Sequence, residues 1–202
     1  MLELLQTDVP AGTVDVRQVE CVQLRELLEL LEAGDAEVPA GGDAGLKSIA
    51  TLPELRGLSV SSSHITDAGI ERFRTHKKLE HVTLRATKLT DKALDHLAQV
   101  ETITRLDLYG SGEPGVAPGR SFSIAGLQQL KKLPKLDTLY LTNIDSPGGY
   151  VGLKELKHLR ELSFMMANVT ERELELLEEA LPATRISSAT GGGSWTGPKR
   201  KR

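Results

Sequence analysis

Five short segments of this chain share one pattern, with apolar residues at their first, fourth and sixth positions and mostly polar residues between. They begin at Leu55, Leu79, Ile103, Leu136 and Leu159. Alternation over such a length predicts a short β-strand with one buried face. The segments recur after 24, 24, 33 and 23 residues. A recurrence in this range is typical of a solenoid, so we expect five stacked repeats.

In the repeats, the strand is followed by a segment whose apolar residues have the spacing of an amphipathic helix. In the second repeat, residues 90–100 put Ala93, Leu94, Leu97 and Val100 on one helical face. A threonine precedes an acidic residue at the start of three such runs, and we expect its hydroxyl to cap the helix. These expected caps are Thr66, Thr90 and Thr170.

Two of these segments, ITDAGI (65–70) and LTDKAL (89–94), resemble the convex half-repeat of the intracellular, ribonuclease-inhibitor-like leucine-rich-repeat family, which has bacterial branches. The resemblance covers roughly residues 45–186. It implies an α/β fold: a right-handed solenoid in a horseshoe arc, with a concave parallel β-sheet and convex helices.

The repeats divide the chain into three parts. Residues 1–44 read as an N-terminal capping segment, a degenerate repeat made of a strand and an amphipathic helix. Residues 45–186 form the leucine-rich-repeat domain of about five repeats. Residues 187–202 have the composition of a disordered basic tail, and we expect the chain to fold without residues 191–202.

Charge and composition narrow the function. Residues 1–44 carry ten acidic and two basic side chains, and the last four residues, Lys199–Arg202, are all basic. The repeats between them are nearly neutral, which argues against nucleic acid as the partner. The tail resembles a nuclear-import signal or a nucleic-acid patch, although such a tail also simply stays solvated.

The single cysteine, Cys21, excludes an internal disulfide. The N-terminus lacks the pattern of a signal peptide, and no apolar run approaches a membrane span. We therefore expect a cytoplasmic, monomeric protein with no membrane contact.

A glycine motif offers the best case for an enzyme. Gly110, Gly112 and Gly115 have the spacing of a dinucleotide-binding turn. That turn must open a helix, and Pro114 and Pro118 prevent one here. The histidines show no metal-ligand spacing. We expect no catalytic activity, no cofactor and no metal.

Strand geometry assigns the residues that face away from the leucines. They form three columns across the predicted sheet. The first column is Gly57, His81, Arg105, Thr138 and Glu161; the second is Ser59, Thr83, Asp107, Tyr140 and Ser163; the third is Ser61, Arg85, Tyr109, Thr142 and Met165.

The tyrosines of the chain all lie in the third and fourth repeats. Tyrosine and arginine are the side chains most enriched at binding hot spots, although tyrosine also favours strands in general. Two long loops, residues 111–123 and 145–151, follow the strands of the same repeats, and insertions often collect on a binding face. The expected partner-binding residues are Arg85, Arg105, Asp107, Tyr109, Tyr140, Thr142 and Tyr150.

The sequence thus predicts a non-catalytic protein–protein interaction scaffold that binds a protein of unknown identity on its concave face and rim loops. Two alternatives stay open. One is a substrate-recognition adaptor of a ubiquitin-ligase-type complex, for which residues 1–44 look too short and too acidic. The other is a structural repeat module of a larger protein.

Overall fold

The computed structural model describes residues 13–14, 35–38, 42–61, 64–85, 89–110, 122–144, 149–190 and 193–196. Within these ranges the strands are β1 (Thr13–Val14), β2 (Asp35–Val38), β3 (Gly57–Ser61), β4 (His81–Arg85), β5 (Arg105–Tyr109), β6 (Thr138–Thr142), β7 (Glu161–Met165), β8 (Arg185–Thr190) and β9 (Gly193–Thr196). They form one sheet in chain order. β1 to β8 are parallel, whereas β9 pairs with β8 in the antiparallel sense.

Helical segments connect successive strands. The α-helices are α1 (Asp43–Ile49), α2 (Asp67–Glu71), α3 (Asp91–Leu97), α4 (Ile124–Gln129) and α5 (Glu171–Ala180). Two 3₁₀ helices, Leu130–Lys132 and Tyr150–Glu155, complete the third and fourth repeats. None of the helices in the described ranges has the length and apolar character that a membrane crossing requires. The arrangement is that of an α/β repeat array, as the period predicts.

The apolar positions of the strands stack into two ladders inside this array. From β3 to β7 the ladders are Leu58, Val82, Leu106, Leu139, Leu162 and Val60, Leu84, Leu108, Leu141, Phe164, each in direct register. Every one of these side chains is buried. Each repeat therefore gains apolar contact from both neighbours, which makes the array, and not the single repeat, the stable unit.

Carboxylates also tie successive repeats together. Asp67, the first residue of α2, accepts hydrogen bonds from the backbone N–H (2.8 Å) and the hydroxyl (2.7 Å) of Thr90 in the next repeat. Asp43 holds Thr66 in the same way, at 2.9 and 2.6 Å. Asp91 holds Ser123 likewise, through the backbone N–H at 2.7 Å and through the hydroxyl.

Two of the three expected helix caps are confirmed. The Thr90 hydroxyl accepts from the N–H of Lys92, and Thr170 forms a reciprocal capping box with Glu173. Thr66 precedes α2 but its side chain accepts no capping hydrogen bond. Its hydroxyl donates to Asp43 instead.

The structure changes the expected picture at both ends of the array. β2 pairs in register with β3, so the parallel strands extend into residues 35–38, where the sequence predicts none. The prediction of a disordered tail from residue 187 is wrong for residues 187–190 and 193–196. These residues form most of β8 and all of β9. Three features named from the sequence lie outside the described residues: the predicted amphipathic helix in residues 24–34, Cys21 and Lys199–Arg202.

Candidate functional site

The exposed face of the sheet carries the three predicted columns in the predicted register. Pairing runs from Gly57 through His81, Arg105 and Thr138 to Glu161, and the second and third columns follow two and four residues later in each strand. We call this surface the column face. Six of the seven expected site residues lie on it, in β4, β5 and β6: Arg85, Arg105, Asp107, Tyr109, Tyr140 and Thr142.

An ion pair lies at the centre of the column face. Arg105 binds Asp107, two residues along the same strand, through Nε (3.1 Å) and Nη2 (3.0 Å). Thr83 on the neighbouring strand donates to the same carboxylate at 3.4 Å. Asp107 is only 8% exposed, because its neighbours cover it. A two-point contact to a nearly buried carboxylate fixes the plane of the guanidinium, which a single surface contact would leave mobile.

Each of two arginines stacks on a tyrosine of the next strand. The guanidinium carbon of Arg105 lies 4.7 Å from the ring centroid of Tyr140. That of Arg85 lies 4.2 Å from the ring centroid of Tyr109. Both distances are within the range of cation–π attraction. Arg85, Arg105, Asp107, Tyr109 and Tyr140 thus form one continuous cluster, which we call the Arg–Tyr patch.

The ionisable groups of the patch respond to these contacts. The hydrogen bond from Arg105 to Asp107 raises the pKa of the Arg105 guanidinium, against the opposing effect of its burial. Burial raises the pKa of the Tyr140 hydroxyl, and the nearby Glu161 carboxylate raises it further. Arg105 therefore stays charged and Tyr140 stays a neutral hydrogen-bonding phenol through the physiological range.

The prediction that Tyr150 binds the partner is wrong. Its side chain is 0% exposed, its hydroxyl donates to the carbonyl oxygen of Ile144, and its ring meets Phe164 edge-on at 5.0 Å between centroids. The residue opens a 3₁₀ helix and turns into the core, so it cannot touch a partner.

The rim loops can be followed only at their ends. Residues 111–121 and 145–148 lie outside the described residues, so the proposed loop contacts stay a prediction. At the described end of the first loop, Phe122 is buried and the Ser123 hydroxyl is bound by Asp91.

Gly110 of the glycine motif has a packing role. Its backbone N–H donates to the carbonyl of Thr142 at 2.8 Å, and a Cβ at this position would collide with the carbonyl oxygen of Asn143. Gly112 and Gly115 lie outside the described residues. In the part of the chain that the structure describes, no three His, Cys, Asp or Glu side chains gather as a metal site.

Sequence reasoning did not select Met165 and Met166 as site residues. Met165 is the last residue of β7 and Met166 follows it, and they are 47% and 69% exposed. Met165 ends the third column, which is a usable signal, since large apolar side chains seldom face water there. Met166 has a left-handed backbone with φ of 52°, which no sequence pattern indicates.

Comparison with known proteins adds a structural likeness to this geometry. No protein-family model matches the chain, and no curated protein matches it. Among solved structures, the chain is similar to internalin C2 from Listeria monocytogenes, with 18% identity and a TM-score of 0.43. The match covers 71% of this chain and 72% of internalin C2. A likeness of this size assigns neither a family nor a partner.

Proposed function

We propose that this chain is a cytoplasmic leucine-rich-repeat protein of the intracellular branch, a right-handed solenoid with the column face on its concave side. We propose further that it is a non-catalytic scaffold that binds a protein partner on that face. The Arg–Tyr patch carries the proposal, because it presents two stacked arginine–tyrosine pairs at the middle of an open sheet.

The patch suits binding for an energetic reason. Arginine and tyrosine add large contact area together with polar groups, and they dominate many interfaces. Ordering such side chains on binding normally costs about 0.5–1.5 kcal/mol each. Asp107 already fixes Arg105, and Tyr109 and Tyr140 already support the two guanidinium groups. Much of that ordering cost is therefore absent before a partner arrives.

Replacing Tyr109 and Tyr140 together with Ala tests this function. We expect capture of the partner from native cells to fall by roughly tenfold or more, because each buried tyrosine anchor contributes on the order of 1–2 kcal/mol. Capture on the tagged full chain is measured by quantitative mass spectrometry. Both side chains face outward, so the melting transition followed by circular dichroism should move little.

The matched control is Lys131→Ala with Lys132→Ala, a double change at exposed positions of a 3₁₀ helix away from the column face. The control should capture the same proteins as the unaltered chain. Equal capture by the double tyrosine variant and the unaltered chain would remove the Arg–Tyr patch as the binding site.

A further inference from the structure

We propose that the third column of the column face binds an extended peptide segment with a carboxylate side chain and, four positions away, an apolar side chain. The carboxylate would pair with Arg85, and the apolar side chain would cover Met165 and Met166. This inference rests on the proposed binding function and names the chemistry of the partner.

The charge of Arg85 is available to a partner. Arg85 is exposed and stacks on Tyr109, yet within the described residues it forms no ion pair. Arg105, in the same patch, is already ion-paired with Asp107. Arg185, at the end of the first column, lies directly beside Glu161 in the sheet register. Arg85 is therefore the patch arginine whose charge a partner can meet.

The two methionines supply the apolar end. Met165 and Met166 are the large hydrophobic side chains that the described residues leave exposed. The left-handed backbone of Met166 turns the chain directly after β7, where the preceding repeat has Asn143 with the same φ of 52°. Asparagine tolerates this conformation better than methionine does. An unbranched thioether adapts its shape to an apolar partner, and covering it releases about 25 cal/mol per Å².

Strand spacing sets the length of the segment. Arg85, Tyr109, Thr142 and Met165 are paired in one row across β4 to β7. Neighbouring strands lie about 4.8 Å apart, so the row from Arg85 to Met165 spans roughly 14 Å. An extended peptide advances about 3.4 Å per residue and returns to the same face every second residue. Its side chains four positions apart are thus separated by about the length of this row.

The neighbours of Arg85 favour a carboxylate over a phosphate. A carboxylate carries one charge and matches one guanidinium with two parallel hydrogen bonds. A phosphorylated side chain carries close to two charges. The second charge would meet no further unpaired arginine in the patch, because Arg105 is already bound to Asp107. The proposed partner segment is therefore an unmodified acidic and apolar one.

Fluorescence anisotropy with the full chain tests the inference directly. The probes are two dye-labelled peptides of serine and threonine that carry one Glu and one Leu four positions apart, in either order. We expect at least one to bind. In that peptide, Lys in place of Glu, or Glu and Leu three positions apart on opposite faces, should weaken binding by roughly tenfold.

Variants of the protein test whether the peptide binds on the third column. Arg85→Ala, and Met165→Ser with Met166→Ser, should each weaken binding about fivefold or more. Arg185→Ala removes the same charge from the same face outside the third column and should leave binding unchanged. Circular dichroism checks that each exposed substitution preserves the fold.

Four results would overturn the inference: neither peptide binds, the spacing variant binds equally well, Arg185→Ala weakens binding as much as Arg85→Ala, or phosphoserine in place of Glu binds tighter. The scaffold function has a separate readout, the loss of partner capture on replacing Tyr109 and Tyr140. If capture depends on these tyrosines while both peptides fail, the peptide chemistry is wrong and the binding face stands.

Discussion

Tyr150 lies wholly in the core, where its hydroxyl donates to the carbonyl of Ile144 and its ring contacts Phe164. Removing only the hydroxyl leaves a buried carbonyl without that donor. We expect Tyr150→Phe to lower the free energy of unfolding by about 1 kcal/mol. Tyr150→Ala also opens a cavity and should cost about 3–5 kcal/mol. Urea unfolding measures both.

The same pair of variants separates packing from recognition. Because Tyr150 does not reach the surface, Tyr150→Phe should capture the partner as well as the unaltered chain does. A loss of capture with unchanged stability would return Tyr150 to the binding surface.

Residues in regular strands could be placed from the sequence, whereas Tyr150 could not. Side chains alternate between the faces of a strand, so the repeated leucines fix the direction of Arg85, Tyr109 and every other column residue. Tyr150 is the first residue of a 3₁₀ helix and follows a gap in the leucine pattern. The sequence therefore does not indicate whether its side chain faces the core or the solvent. The contact of Arg105 with Asp107 also needed coordinates, because it depends on rotamers.

At the scale of the element, the starts of α2, α3 and α4 each depend on a carboxylate that the preceding repeat supplies. Asp43, Asp67 and Asp91 bind the first residues of the following helical segments. The third residue of those helices is small in each case: Gly69, Ala93 and Gly126. A Cβ at Gly126 would collide with the carboxylate of Asp91, which explains the glycine at this position.

In the fifth repeat, the carboxylate at the helix start comes from the helix itself and not from the preceding repeat. The 3₁₀ helix of the fourth repeat begins with Tyr150 and offers no aspartate at the equivalent position. Here the third residue of α5 is Glu173, whose carboxylate accepts from the N–H (3.0 Å) and the hydroxyl (2.8 Å) of Thr170. The residue at this position is thus small where a neighbour supplies the carboxylate, and acidic where none does. The recurring Thr–Asp pair indicates helix starts, but the source of the carboxylate is visible only in three dimensions.

A double-mutant cycle on Asp91 and Gly126 tests this coupling. Asp91→Ala removes the acceptor of two hydrogen bonds and should cost about 1–2 kcal/mol. Gly126→Ala forces its Cβ into Asp91 and should cost about 1–3 kcal/mol. The collision is largely relieved when both changes are made, so the double variant should be about 1 kcal/mol more stable than the sum predicts.

Asp95→Ala is the matched control for this cycle. Asp95 lies on the exposed side of the same helix as Asp91. Combined with Gly126→Ala, it should give additive free energies of unfolding in urea. Additive values for Asp91 as well would show that the carboxylate does not dictate the residue at position 126.

At the scale of the whole molecule, the repeat period predicted the stacked order of β3 to β7. It did not predict β2 and β9, near the two ends of the array. Terminal repeats cover an open edge of the core and lose the regular leucines in doing so. β2 reads Asp-Ala-Glu-Val and has no leucine to match the pattern. β9 lies in a glycine- and serine-rich stretch whose composition is typical of disorder, and only its pairing with β8 makes it a strand.

The C-terminal hairpin provides the test at this scale. Deleting residues 191–202 removes β9 and leaves the backbone groups of β8 without their antiparallel partners. We expect the free energy of unfolding to fall by about 2 kcal/mol, since each lost hydrogen bond contributes about 0.5–1.5 kcal/mol. An unpaired strand also invites pairing between molecules, so light scattering should detect self-association.

Deletion of residues 197–202 alone is the control, because it removes the four basic residues and keeps β9. Its unfolding should match that of the full chain. Trp195 is the single tryptophan and is lost in the longer deletion, so circular dichroism is the appropriate probe for both. Equal stability of the two truncations would mean that β9 contributes nothing to the array and that β8 covers the last repeat by itself.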